Sequence, residues 1–190
     1  MSRSFGPYGM KPLDTFNSTS GTTYSTVSVN INNPSETKSN LVCISGTLSA
    51  TNDSNQLRGS LKSANEANYT QANSYTHCPY SSTVQNLSNY TLFTLSRFDV
   101  GNANATSQVD GERANVIIWI VSNESTVAPI VNTMVYSWIS PEYTVSAYHT
   151  LPCWNVVQVT QASKSDEFVF YWSSGNVSGA RLKSWGWGGD

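Results

Sequence analysis

The chain has 190 residues, 12% of them charged, and a formal net charge of -2. That length supports one domain, or one domain with a large insertion, and a core that needs no metal or disulfide staple. The ten Lys and Arg are scattered, without the basic stripe that a nucleic-acid binder needs to neutralise phosphates, and no run approaches the ~18 apolar residues of a membrane-spanning helix.

Asn, Ser and Thr fill the space left by charge, with 19, 30 and 19 residues respectively. Apolar residues reach 38% and aromatics 12%, which argues against disorder. β-branched and aromatic side chains fit a half-buried pleated surface, so the mixture favours strands. Eight Asn-x-Ser/Thr sequons occur, from Asn17 to Asn176. A chain this rich in Asn, Ser and Thr reaches most of that number by chance, and a protein made in the cytosol carries them unmodified. The three cysteines, Cys43, Cys78 and Cys153, leave at least one thiol unbridged and read as small buried hydrophobes. Residues 1–13, MSRSFGPYGMKPL, lack the apolar core of a signal peptide. The expectation is a protein not secreted by the usual route, or a segment of a longer chain.

Residues 1–22 show no periodicity and carry Gly6, Pro7, Gly9, Pro12 and Gly21, so they read as an extended arm or linker. Residues 23–190 read as a single β domain. In STVSVNINN, Val27, Val29 and Ile31 alternate with Ser28, Asn30 and Asn32, the pattern of a strand with one wet face. NLVCISGTLSA sets Val42 and Ile44 against Leu41 and Cys43. Residues 50–89 are mostly small and polar, without apolar periodicity, and read as a long polar loop insertion. Long loops in compact domains are usually functional. This one carries Tyr69, Tyr75, His77 and Tyr80, the candidate receptor- or ligand-binding residues.

Strand patterns return in YTLFTLSRF. NVIIWIVS is apolar on both faces, which predicts a central strand or one covered by a partner. IVNTMVYSWIS alternates Val131, Val135 and Ile139 with Met134, Tyr136 and Trp138. CWNVVQVTQ follows, and DEFVFYWSS puts Phe168, Phe170 and Trp172 on one face. No convincing amphipathic helix appears. The pattern predicts an all-β fold, an antiparallel β-sandwich or barrel of about seven or eight strands, with jelly-roll and Greek-key topologies both open.

Little in the sequence points to chemistry. It holds two histidines, His77 and His149, and lacks G-x-S-x-G, G-x-x-x-x-G-K-[ST] and H-E-x-x-H. His77-Cys78 with His149-x-x-x-Cys153 is the nearest metal-like pattern, but adjacent residues on a strand point to opposite faces. The twelve carboxylates lie mostly in predicted loops, and no pair marks the convergent acids of a glycosidase. The chain therefore reads as a non-enzyme, with no catalytic residue, metal site or cofactor expected. Binding and assembly remain.

In style the chain resembles the coat or protruding spike domains of non-enveloped RNA viruses. The shared features run from about Val27 to Trp187: apolar strands separated by long polar loops, high Asn, Ser and Thr, few charges and free cysteines. Residues 1–25 hold only Arg3 and Lys11, which departs from the basic arm of coat proteins that touch the genome. The resemblance implies a structural capsid or spike domain of a virion, made in the host cytoplasm. It implies a homo-oligomer, dimer or trimer, touching other capsid subunits and a host glycan or protein receptor, without nucleic-acid contact or membrane insertion. A secreted, extracellular lectin-like β-sandwich that binds carbohydrate is the alternative.

The chain closes on SWGWGGD. In a strand Trp185 and Trp187 share one face, and Gly186 and Gly188 share the other. With Trp119 and Trp138 they are expected to form a subunit interface or to clasp the core. If Trp185 and Trp187 close the core, truncating either to Ala should cost about 3–5 kcal/mol in a denaturant melt; unchanged stability would place both outside it.

Overall fold

The computed structural model describes residues 10–32, 41–51, 57–62, 72–77, 85–90, 93–94, 113–121, 130–139, 149–159 and 165–187. Every regular element among them is a strand. The first six are β1 (Lys11–Asn17), β2 (Val27–Asn30), β3 (Leu41–Ala50), β4 (Leu57–Lys62), β5 (Ala72–His77) and β6 (Gln85–Tyr90). The rest are β7 (Phe93–Thr94), β8 (Ala114–Val121), β9 (Ile130–Ile139), β10 (His149–Val159), β11 (Glu167–Trp172) and β12 (Val177–Gly186). They form two antiparallel sheets. The larger runs β1-β12-β3-β8-β9-β10-β5-β6 and the smaller β2-β11-β4-β7.

The connectivity becomes simple once two hairpins, β5–β6 and β9–β10, are set aside. The remaining eight strands pair from the outside of the chain inwards: β1 with β12, β2 with β11, β3 with β8 and β4 with β7. The chain acts as one long hairpin whose two legs pass back and forth between the sheets. Of the two topologies left open by the sequence, this is the jelly roll. Both inserted hairpins add to the larger sheet beyond β8.

Hydrophobic alternation explains where the core sits. Val27 and Val29 of β2, with Ile31 just beyond it, are buried, as are Phe168, Phe170 and Trp172 of β11. These faces meet Val42, Ile44 and Leu48 of β3, Val116, Ile118 and Ile120 of β8, and Leu182 of β12 in one cluster. Phe168 and Phe170 stand with ring centroids 4.7 Å apart. Burying these side chains contributes about 1.5–3 kcal/mol each, before chain entropy is counted against it.

Polar groups at the sandwich edges find partners across it. The Ser184 hydroxyl donates to the Asn30 carbonyl at 2.6 Å and ties β12 to β2 in the opposite sheet. The Trp172 indole N–H donates to the Ser49 carbonyl at 3.1 Å. The register of β1 shifts between Pro12 and Asp14, and the Asp14 carboxylate accepts from the backbone N–H groups of Thr15 and Asn30. The last turn is made by Ser173–Asn176, with Gly175 at φ 72°, a conformation that glycine adopts without a Cβ clash.

Two segments differ from their sequence reading. Strands β4 and β5 and all but the last residue of β6 lie within residues 50–89, expected as a loop, and β1 lies within residues 1–22, expected as an arm. In β4 the buried run Gly59-Ser60-Leu61 puts small residues beside an apolar one, so no period of two shows in the sequence. β1 is an edge strand with mostly exposed or half-buried residues, and an edge needs little apolar alternation.

Gly46 sets the approach of β12 to β3. It takes the inward alternation of Val42, Ile44 and Leu48 and pairs with Leu182 on one side and Val116 on the other. A Cβ at this position would run into the Arg181 carbonyl oxygen and the Leu182 side chain. The first obstacle is backbone and cannot rotate away. Gly46→Ala is expected to destabilise the protein by about 2–3 kcal/mol, as overpacking in a closed core does, read as a lower midpoint in a urea melt.

Candidate interaction face

Alternation that sends one side of each strand inward sends the other outward. On the larger sheet the outward side is unusual, because much of it is apolar. Along β8, Val116, Ile118 and Ile120 are buried while Ile117 and Val121 are 39% and 40% exposed. Ile130 of β9, Val156 of β10 and Trp187, just beyond β12, are 42%, 48% and 48% exposed. These five are the large exposed hydrophobics among the described residues.

Register brings them together, since directly opposed residues of antiparallel strands point to the same face. Val121 is opposed by Leu41 on β3 and Ile130 on β9. In the next row Trp185, Cys43, Trp119, Asn132 and Val156 follow one another across β12, β3, β8, β9 and β10. A third row passes through Lys183, Ser45, Ile117 and Met134. The first two rows carry no charge. The Trp187 backbone N–H donates to the Leu41 carbonyl at 2.9 Å, which fastens the end of the strand beside the apolar rows.

Trp119 and Trp185 are half-buried and Trp187 is exposed, and none of the three belongs to the buried cluster. The expectation that Trp185 and Trp187 clasp the core is corrected: both lie past Lys183 on the outward alternation of β12, with Ser184 and Gly186 taking the buried positions. Trp138 lies in β9, paired with Thr150. Tyr75 and His77 lie in β5, paired with Val156 and Trp154. Strand β5 is therefore continuous with the sheet that bears the apolar rows. Tyr69 and Tyr80 lie outside the described residues.

Further down the same face the character changes. A groove of about 1140 Å³ opens over β1, β12 and β3, lined by Thr15, Asn17, Ser45, Thr47, Arg181 and Lys183 among others. Arg113, at the start of β8, also lines it. The sheet thus presents an apolar half towards Trp187 and a cationic, hydroxyl-rich half towards Arg181. Sequence reasoning passed over the groove because its residues come from three distant segments. The alternation in Arg181-Leu182-Lys183, charged-apolar-charged, was the available signal.

Among the described residues no group of three His, Cys, Asp or Glu side chains is placed to hold a metal ion. No family model matches the chain, and neither a curated protein nor a solved structure matches it.

Cys43 is unbridged and 2% exposed although it lies on the outward alternation, between Trp119 and Trp185 in the register. Burial pushes its thiol up to about 11 from 9.0, because the thiolate would lose its hydration. The native thiol should therefore be slow towards alkylating reagents at neutral pH. Its linkage runs one way. Between pH 9 and about 11 the unfolded thiol ionises while the native one keeps its proton, so this contribution to stability falls as pH rises. Cys43→Ala should flatten that part of the stability–pH curve, measured by urea melts from pH 8 to pH 11.

Proposed function

We propose that this chain is a structural assembly domain of the coat or protruding-spike kind, which joins copies of itself through the apolar outward half of its larger sheet. The observation that carries the reading is the uncharged, two-row apolar surface centred on Trp119, Val121 and Ile130. Exposed apolar groups grouped on one face mark an interaction surface, whereas isolated ones are ordinary.

A second copy of the same chain is the occupant that fits. The surface lacks charge, so two identical copies meet face to face without like-charge repulsion, and a charged partner would find nothing there to pair with. A twisted sheet face is matched by another of the same twist, as in aligned sheet-on-sheet packing. Half-buried indoles at the centre with polar residues around them also follow the anatomy of an interface, apolar core and polar rim. Jelly rolls serve both capsid and lectin domains, so topology supports the coat reading and its lectin-like alternative equally; the apolar face is what favours assembly. The reading assigns no catalytic role to the chain and places it in a virion.

Light scattering coupled to size exclusion tests it. The chain is expected to elute as a dimer or trimer at high concentration. Replacing both exposed valines, Val121→Lys with Val156→Lys, should raise the dissociation constant at least about tenfold, since truncating or charging the centre of an interface costs more than ~1.4 kcal/mol. The thermal midpoint of the dissociated variant should stay near that of a wild-type monomer, because both positions face outward. A wild-type chain that stays monomeric at high concentration would remove the assembly reading and leave the lectin-like one.

A further inference from the structure

The cationic half of the larger sheet has no part in the assembly surface, and its chemistry is different. Arg181 and Lys183 both stand exposed on the outward alternation of β12, two residues apart and so about 7 Å apart along the strand. On one side Asn17 and Thr15 of β1 oppose them; on the other, Thr47 and Ser45 of β3 oppose them. The result is a grid of two cations flanked on both sides by short polar side chains, with Arg113 at its margin. Among the described residues no carboxylate lines the groove. Three of the chain's ten Lys and Arg line a single groove in a protein whose net charge is negative.

We infer that this groove is a binding site for an acidic saccharide, a glycan bearing sulfate or carboxylate groups. Two cations held side by side without an intervening acid attract an anion, and Arg adds a planar fork that matches sulfate or carboxylate oxygens. The flanking hydroxyl and amide groups both donate and accept hydrogen bonds, which is what sugar hydroxyls require. Single-stranded nucleic acid would call for aromatic side chains on which bases stack, and none lines the groove among the described residues. The groove is open to solvent and framed by three strands, a rigid support that suits an extended chain of sugars better than a small ion.

This inference stands apart from the proposed assembly and names a site and ligand class for the glycan contact that the coat- or spike-domain resemblance implies. It is tested apart from assembly. Binding of a fluorescent heparin hexasaccharide is measured by anisotropy at low ionic strength, with neutral dextran and an oligo(U) RNA as competing probes. The wild-type chain should bind heparin, ignore dextran and bind the RNA at least tenfold more weakly. The pair Arg181→Gln and Lys183→Gln should weaken heparin binding at least tenfold with the melting temperature unchanged, since both side chains are exposed. Thr47→Glu, which puts an acid beside Arg181, should do the same and guards against misfolding of the double variant. The Val121→Lys/Val156→Lys variant tests independence: it should still bind heparin whether or not it assembles. Unchanged heparin binding in the Arg181/Lys183 variant, no binding by the wild type, or RNA binding as tight as heparin would each overturn the assignment.

Discussion

Three surfaces of this protein depend on the alternation along one strand, β12. It is held between β1 and β3, and its inward residues Val177, Ala180 and Leu182 close the sandwich. Its outward residues Arg181 and Lys183 form the groove, and Trp185 begins the apolar rows. Because side chains alternate with a period of two, a slip of one residue would bury two cations and expose Leu182. The Gly46 contact and the Ser184 hydrogen bond to Asn30 both oppose such a slip.

The larger sheet is longer than its partner, and this asymmetry organises the outer face. Four strands of the roll are continued by β9, β10, β5 and β6, while the smaller sheet stops at four. Val131 and Val135 of β9 still reach the common core. On the opposite side of β8, β9 and β10, Ile117, Val121, Ile130 and Val156 are exposed. The division of this outer face into an uncharged half and a cationic half follows the direction of the strands, so the two halves can be altered separately.

The legible parts of the fold were those in which a single strand carries a clean signal. The alternation of Val27-x-Val29-x-Ile31 and of Phe168-x-Phe170-x-Trp172 puts each set on one face of a strand, and the structure buries both sets. The run Val116–Val121, apolar on both sides, predicts a central strand or one covered by a partner, and β8 sits between β3 and β9. Segments that bury small or polar residues, such as Gly59 and Ser60 in β4, gave no such signal. The groove was illegible for another reason. Thr15, Ser45 and Lys183 become neighbours through register, and one sequence does not display long-range pairing. Trp185 and Trp187 are expected to share a face if both lie in a strand; the face Trp185 takes follows from Leu182 and Ser184 being the buried residues of β12 on either side of Lys183.

The nested pairing also bears on how the chain acquires its shape. In their sheets β1 pairs with β12 and β2 with β11, so the outermost pairs join residues more than a hundred positions apart. Closing loops that long costs entropy before any contact repays it, which slows folding and exposes strand edges meanwhile. On a ribosome the early strands emerge with their partners not yet made. Of the four nested pairs, β4 with β7 has the shortest closure, and the neighbours β5–β6, β8–β9 and β9–β10 close more locally still. The roll would then grow outward from that centre, and its last act would be the seating of β12 between two strands that had waited for it.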